Sequence, residues 1–178
     1  PAGYVNDIAQ LIPEKMKNHI ITLAAQLKQK TGAELVVVTM PDIKGEDYTE
    51  YANELFSRWG IGEKGKDNGV LIFLTLKERK IRIEVGYGLE SILPDGLVGE
   101  ILDTEALPYL KRSDYGQGLY RAALACAATI AKDSGVTLSG VPKDLGDSRA
   151  TKRSPSGSLL GFIPFLLFIV LIIWGRSG

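Results

Sequence analysis

Asp67 and Glu90 are the residues whose type and spacing point most directly to chemistry. Asp67 opens Asp67-Asn68-Gly69, and Glu90 closes Gly86-Tyr87-Gly88-Leu89-Glu90. Between them lie an apolar run, Val70–Leu76, a charged turn, Lys77–Lys80, and an alternating run, Ile81–Val85. Read as a hairpin in which Leu76 faces Ile81, this register sets Val70 opposite Tyr87 and Asp67 opposite Glu90. The two carboxylates then emerge at one edge of a sheet in facing loops, with Asp95 a few residues on. Clustered oxygens on glycine-bent loops suit a hard cation such as Ca²⁺ or Mg²⁺. The same residues also have a plainer reading. Asp67-Asn68-Gly69 is a turn sequence in its own right, and Glu90 and Asp95 are acids of the kind favoured near a helix start.

The remaining chemistry is thin. One cysteine, Cys126, excludes an intramolecular disulfide and any Cys₄ or Cys₂His₂ zinc site. A lone histidine, His19, excludes a multi-histidine metal centre. Cys126 falls in an apolar helical stripe and reads as core. His19 lies off the stripe of its own helix and reads as a surface residue. Asp114 with Gln117 has the spacing of a capping box. With 21 basic and 21 acidic residues the chain has no net charge, which argues against an electrostatic nucleic-acid binder.

The elements that must position these residues alternate between helix and strand. Met16, Ile20, Leu23, Ala24 and Leu27 recur at helical spacing between Pro13 and Gly32, predicting a helix over 13–30. Glu34–Met40 is a β-branched apolar run of strand length. Asp47–Trp59 returns to helical spacing and Gly60 ends it; Val70–Leu76 is a second buried strand. Strand, helix, strand at this spacing predicts parallel strands with a right-handed crossover. Ile81–Val85 then pairs antiparallel as a half-exposed edge. A short helix, Leu97–Leu107, is expected to stop at Pro108, and an Ala-rich helix, Tyr115–Lys132, closes the domain. The fold class is therefore α/β: a three-layer α/β/α sandwich with a mixed sheet.

Composition divides the chain further. Residues 1–135 form the folded domain, with 16 basic and 19 acidic residues. Residues 136–158 mix Gly, Ser, Pro and scattered charge without periodicity and read as a linker. Residues 159–175 carry no charge over 17 positions, long enough for one membrane-spanning helix, with Trp174 and Arg176 as interfacial residues. Residues 176–178 begin a tail. Residue 1 is proline, so removal of a signal peptide is an expectation, and with it an extracytoplasmic domain on a single-pass anchor.

Several blocks together resemble the TPM domain family. They are Tyr4-Val5-Asn6-Asp7, Thr31–Thr39 (TGAELVVVT), Trp59-Gly60-Ile61-Gly62, Asp67–Leu71 (DNGVL), Ile83–Glu90 (IEVGYGLE), and Asp114-Tyr115 with Gly118, in the family's order across residues 4–132. The resemblance implies an α/β/α sandwich and, in bacterial members, a membrane-anchored outward domain. Plant members are associated with thylakoid membranes, photosystem II repair and acid phosphatase activity. A divalent-cation site is described in some members, and another branch is accessory to an ion-channel receptor. Carried over, the resemblance marks Asp67 and Glu90 as metal-ligand candidates. Asp95 joins them by proximity in sequence. Asp7 joins them by its place in the opening block, if an extended segment over 1–12 carries it across the sheet.

Two functions of different class follow as expectations. One is a membrane-tethered, divalent-cation-binding module that assists assembly or repair of membrane protein complexes, with the membrane and another membrane protein as partners. The other is a metal-assisted acid phosphatase, in which the ion polarises a phosphoryl oxygen and activates water, with Lys64 and Lys66 as the nearest cations.

Overall fold

The computed structural model describes residues 2–141. The apolar run at 159–175, and with it the predicted membrane helix, lies outside the described residues. Within them, no helix is long and apolar enough to cross a membrane.

The sheet is mixed, with strands in the spatial order β1 (Val5–Asp7), β2 (Glu34–Met40), β3 (Gly69–Thr75), β4 (Lys80–Val85). The first three are parallel and β4 is antiparallel to β3. Alternation along the central strands sends side chains to two cores. Leu35, Val37, Val70, Ile72 and Leu74 meet helices α1 (Glu14–Thr31) and α5 (Tyr115–Asp133). Val36, Val38, Leu71 and Phe73 meet helix α2 (Tyr48–Trp59), where Tyr51 stacks on Phe73 at 5.5 Å between ring centroids. Helices thus cover both faces, and β4 is the half-exposed edge that its alternation predicts.

Each helix has a local reason to start and stop. In α1, Ile20, Leu23, Ala24 and Leu27 are fully or almost fully buried, each large one contributing about 1.5–3 kcal/mol by leaving water. Asp47 caps α2 by accepting from Thr49 N at 2.8 Å and Glu50 N at 3.0 Å. In α5 small side chains let the helix lie close to α1, and Cys126 is fully buried with its thiol pushed up to about 12 by burial. His19 is exposed and tilts against the Tyr120 ring at 5.5 Å.

Four sequence expectations need correction. The hairpin register is shifted by two residues: Thr75 pairs with Lys80 and Val70 with Val85, not Tyr87. Leu76 belongs to the turn, which Arg79 N closes onto Leu76 O at 3.2 Å, rather than to the strand. Pro108 does not stop the third helical segment. Helix α3 (Asp95–Ile101) passes through a π-turn, Leu102–Ala106, into α4 (Leu107–Leu110), and the wider turn accommodates the proline's missing N–H. Asp114 accepts weakly from Gln117 N at 3.4 Å, but its own N–H goes to Tyr109 O at 3.0 Å, so half of a capping box is present. Residues 136–141 continue the packing: Leu138 is buried and Val136 and Val141 rest on the same core.

Candidate functional site

The predicted edge forms at the N-terminal end of β3, by backbone contact more than by side chains. With the corrected register Asp67 falls opposite Gly88, whose N–H donates to Asp67 O at 3.0 Å; Gly86 N donates to Gly69 O at 2.8 Å. The chain then tightens into a single 3₁₀ turn, Tyr87–Leu89, and Glu90 follows it. Approach is close enough that a Cβ on Gly86 would stand 2.1 Å from Asp67 O, and one on Gly88 2.0 Å from Lys66 O. The glycines of Gly86-Tyr87-Gly88 are thus required by loop-on-loop packing, whatever the loops bind.

The adjoining loop is held by its own ties. Asn68 Oδ1 accepts from Glu63 N at 2.7 Å, and Asn68 O accepts from Glu34 N at 3.0 Å. Glu34 Oε2 takes Gly62 N and Lys28 Nζ, both at 3.3 Å. Lys66 pairs with Glu63 at 2.9 Å. Asp67 sits at φ 47°, a left-handed conformation that aspartate tolerates better than most residues. Its carboxylate is exposed, as are those of Glu90 and Asp95, the last at the first position of α3.

Asp7 belongs elsewhere. It ends β1 opposite Thr39, at the C-terminal end of the parallel strands, whereas Asp67 precedes Gly69 at the N-terminal end. Between the register positions Glu34 and Thr39 the strand advances roughly 16 Å. The Asp7 carboxylate is 4 % exposed and saturated: it accepts from Leu11 N at 2.9 Å, Ile12 N at 3.0 Å and Thr39 Oγ1 at 2.6 Å, with Lys17 Nζ at 3.8 Å. This carboxylate orders the turn between β1 and α1.

For a resident cation the donors fit in kind but not in number. Ca²⁺ takes six to eight oxygens and holds best where several are charged. Among the described residues, no three His, Cys, Asp or Glu side chains gather as a metal-binding group. Asp67 and Glu90 stand on neighbouring turns, Asp95 has no bond to either, and the Asp67 carbonyl already accepts from Gly88.

A second feature lies at the other end of β3, where the sequence reading placed nothing. A cleft of about 390 Å³ is lined by Leu74, Leu76 and Ile81 from the hairpin and by Leu107, Leu110 and Tyr115 from the segment leading into α5. Arg79, Lys80 and Lys111 stand in its wall. No motif marks it, because its residues come from two turns remote in sequence.

These features define an α/β domain with a mixed sheet and helices on both faces. Residues 5–129 match the sequence profile of the TPM domain, so the chain belongs to that family. It is 24% identical over 166 residues to the inner membrane protein YcfZ of Escherichia coli (strain K12), covering 93% of this chain but 62% of that protein. Among solved structures, the N-terminal domain of a P. gingivalis protein superposes with a TM-score of 0.70 at 29% identity, covering 75% of this chain and 85% of the other. The BA42 protein of the psychrophilic bacterium Bizionia argentinensis gives 0.58 at 17%, covering 68% and 82%. The N-terminal domain of cg2496 from Corynebacterium glutamicum gives 0.55 at 20%, covering 74% and 80%; these last two likenesses concern the fold.

Proposed function

We propose that the chain is a membrane-tethered accessory module rather than an enzyme, acting on membrane protein complexes and holding a divalent cation, Ca²⁺ or Mg²⁺, weakly between Asp67 and Glu90. The observation that carries this reading is the character of the β3–β4 edge. Its glycines and amides are spent on backbone packing, and what it offers outward is exposed carboxylate beside an exposed aromatic, Tyr87. Such an edge suits contact with a partner; metal-assisted hydrolysis there would also need a cation free to hold the phosphate, and Lys66 is paired with Glu63. Cys126 is sealed in the core and His19 lies on an exposed helix face. The inner-membrane relative and the uncharged run at 159–175 support the tether, and tethering raises the local concentration of a neighbouring membrane partner.

The test is calorimetric titration of the full chain with Ca²⁺ and with Mg²⁺, alongside turnover of p-nitrophenyl phosphate. Weak binding lost in both Asp67→Asn and Glu90→Gln, with no turnover dependent on either residue, is expected. Cation-dependent turnover that disappears in Asp67→Asn would overturn the reading in favour of a metal-assisted phosphatase.

A further inference from the structure

The sheet ends in two unlike edges. Strand β1 has three residues, whereas β4 has six, Lys80–Val85, and no strand lies beyond it among the described residues. Gly86 N donates to Gly69 O at 2.8 Å, so Gly86 faces β3, and the alternation of an antiparallel ladder turns Glu84, Arg82 and Lys80 the same way. The N–H and C=O groups of Ile81, Ile83 and Val85 therefore point outward, where nothing among the described residues bonds them. An edge left open in this way is a template for another strand.

Side chains along β4 divide by face. Ile81, Ile83 and Val85 turn into the core under α1 and α5. Lys80, Arg82 and Glu84 lie on the other face, Lys80 with its Nζ 4.5 Å over the Tyr48 ring and Arg82 bonded to Glu84. The two ends of the strand differ in charge. Arg79, Lys80 and Lys111 stand at its start. Beyond its far end come Tyr87, 81 % exposed, and the exposed carboxylates of Glu90 and, across the loop contact, Asp67.

We infer that β4 pairs with β4 of a second copy of this chain, antiparallel about a two-fold axis at Ile83. Ile83 then exchanges bonds with Ile83 of the second copy, and Ile81 with its Val85, so every outward group of the edge is used. On the α2 face Arg82 falls directly opposite Glu84 of the second copy, twice by symmetry. These are the non-hydrogen-bonded positions, where cross-strand side chains come closest. Guanidinium and carboxylate each have capacity for a second partner, so the Arg82–Glu84 pair within one strand extends into a ring of charges. The same axis brings the basic start of each strand to the acidic end of the other. Neighbouring registers are poorer. In one, Lys80 faces Glu84, but Arg82 meets Arg82 and Val85 passes beyond the strand; in the other, Glu84 meets Glu84. Pairing through one edge strand buries little area, so the dimer is weak in dilute solution. It gains from two copies sharing a membrane, the one part of the inference that rests on the tether.

The experiment is sedimentation equilibrium of the full chain in a zwitterionic detergent, at up to about 1 mM, the scale of concentration a short tether supplies. The parent is expected to approach a dimer. Arg82→Glu and Glu84→Arg each set like charges opposite in both pairs and should weaken association about tenfold. An equimolar mixture of the two restores both attractive pairs and should associate like the parent. So should the swapped variant, Arg82→Glu/Glu84→Arg, which separates this register from its neighbours. Rescue by mixing also shows that both single variants are folded. A parent that stays monomeric would overturn the inference. Single variants that associate like the parent would do the same, placing the contact elsewhere in the chain, as would a cooperatively melting swapped variant that stays monomeric. None of these variants alters Asp67 or Glu90, so the result is independent of the cation titration.

Discussion

The two ends of β3 are built on opposite plans. At the N-terminal end, the Lys66–Gly69 and Gly86–Gly88 loops bond backbone to backbone, and side chains point away from the contact. At the C-terminal end, the β3–β4 turn is tied to the end of β2 by Leu76 N to Met40 O at 3.0 Å and Lys77 N to Pro41 O at 3.1 Å, side chains add further bonds, and an apolar cleft stands beside it. The first end has little tolerance for any added atom. The second tolerates change in its walls, because Arg79 and Lys111 hold nothing else in place. Sequence motifs therefore report the rigid end, where residue identity is dictated by sterics, more loudly than the end that carries the cleft.

That contrast can be broken most sharply at Gly86. Gly86→Ala places a methyl group 2.1 Å from Asp67 O, a backbone atom that cannot swing aside. A loss of about 3 kcal/mol or more is expected in urea unfolding. Gly99→Ala, in α3 with nothing within 4 Å of the new methyl, should be neutral or stabilise by up to about 1 kcal/mol. Equal effects of the two substitutions would remove the steric basis of the contrast.

Asp7→Ala is the next largest. It leaves Leu11 N, Ile12 N and the Thr39 hydroxyl without their acceptor in a nearly dry place. A loss of about 2 kcal/mol is expected, with no change in the cation titration. Loss of cation binding in this variant, with folding intact, would show the two ends to be coupled.

The smallest effect is a titration confined to the C-terminal end. Asp47, which follows β2 there, has its carboxyl held below the usual range by the N–H groups of Glu50 and then Thr49. Because the folded value is depressed, its contribution is complete above the unfolded pKa, about 4, and is lost as pH falls through the folded value. Asn in its place accepts the same bonds but does not titrate. The Tm gap between the parent and Asp47→Asn should hold steady above about pH 5 and close as pH falls past the unfolded value and through the depressed folded one. A gap that ignores pH would mean the carboxylate's charge adds nothing to the cap.

Most of the fold was legible because each element announces itself locally. Glu34–Met40 is wholly apolar at its centre, α1 and α2 end at glycines, and Asp47 stands where a cap should. Strand β1 was not, since three residues, Val-Asn-Asp, have no period, and their pairing depends on Val37, some thirty residues away. The hairpin register slipped because Leu76 extends the apolar run by one residue. Hydrophobicity cannot distinguish a leucine inside a strand from one that lines a cleft beside it. Proximity of the Asp67 and Gly86–Glu90 loops was readable from the order of strands. Which atoms meet there was not, because a shift of two residues changes the partner from Glu90 to Gly88.

Helices α1 and α5 run side by side in the same direction. Their starts touch where Pro13 meets Gly116, and the chain leaving α5 is tied back to the last turns of α1, Lys30 Nζ donating to Thr137 O at 2.6 Å and Ser139 N to Gln26 Oε1 at 2.9 Å. A pull on the chain beyond Val141 meets those last two bonds one after the other, as a zipper is opened, before it reaches the helix pair. The helices themselves are then loaded along their shared length, where many contacts must slide together. Exposed bonds of this kind open at low cost. The segment from Ser134 to Val141 therefore yields only when those bonds and the burial of Leu138 are given up together, and it then lengthens by about 3.5 Å per residue before β1–β4 are loaded.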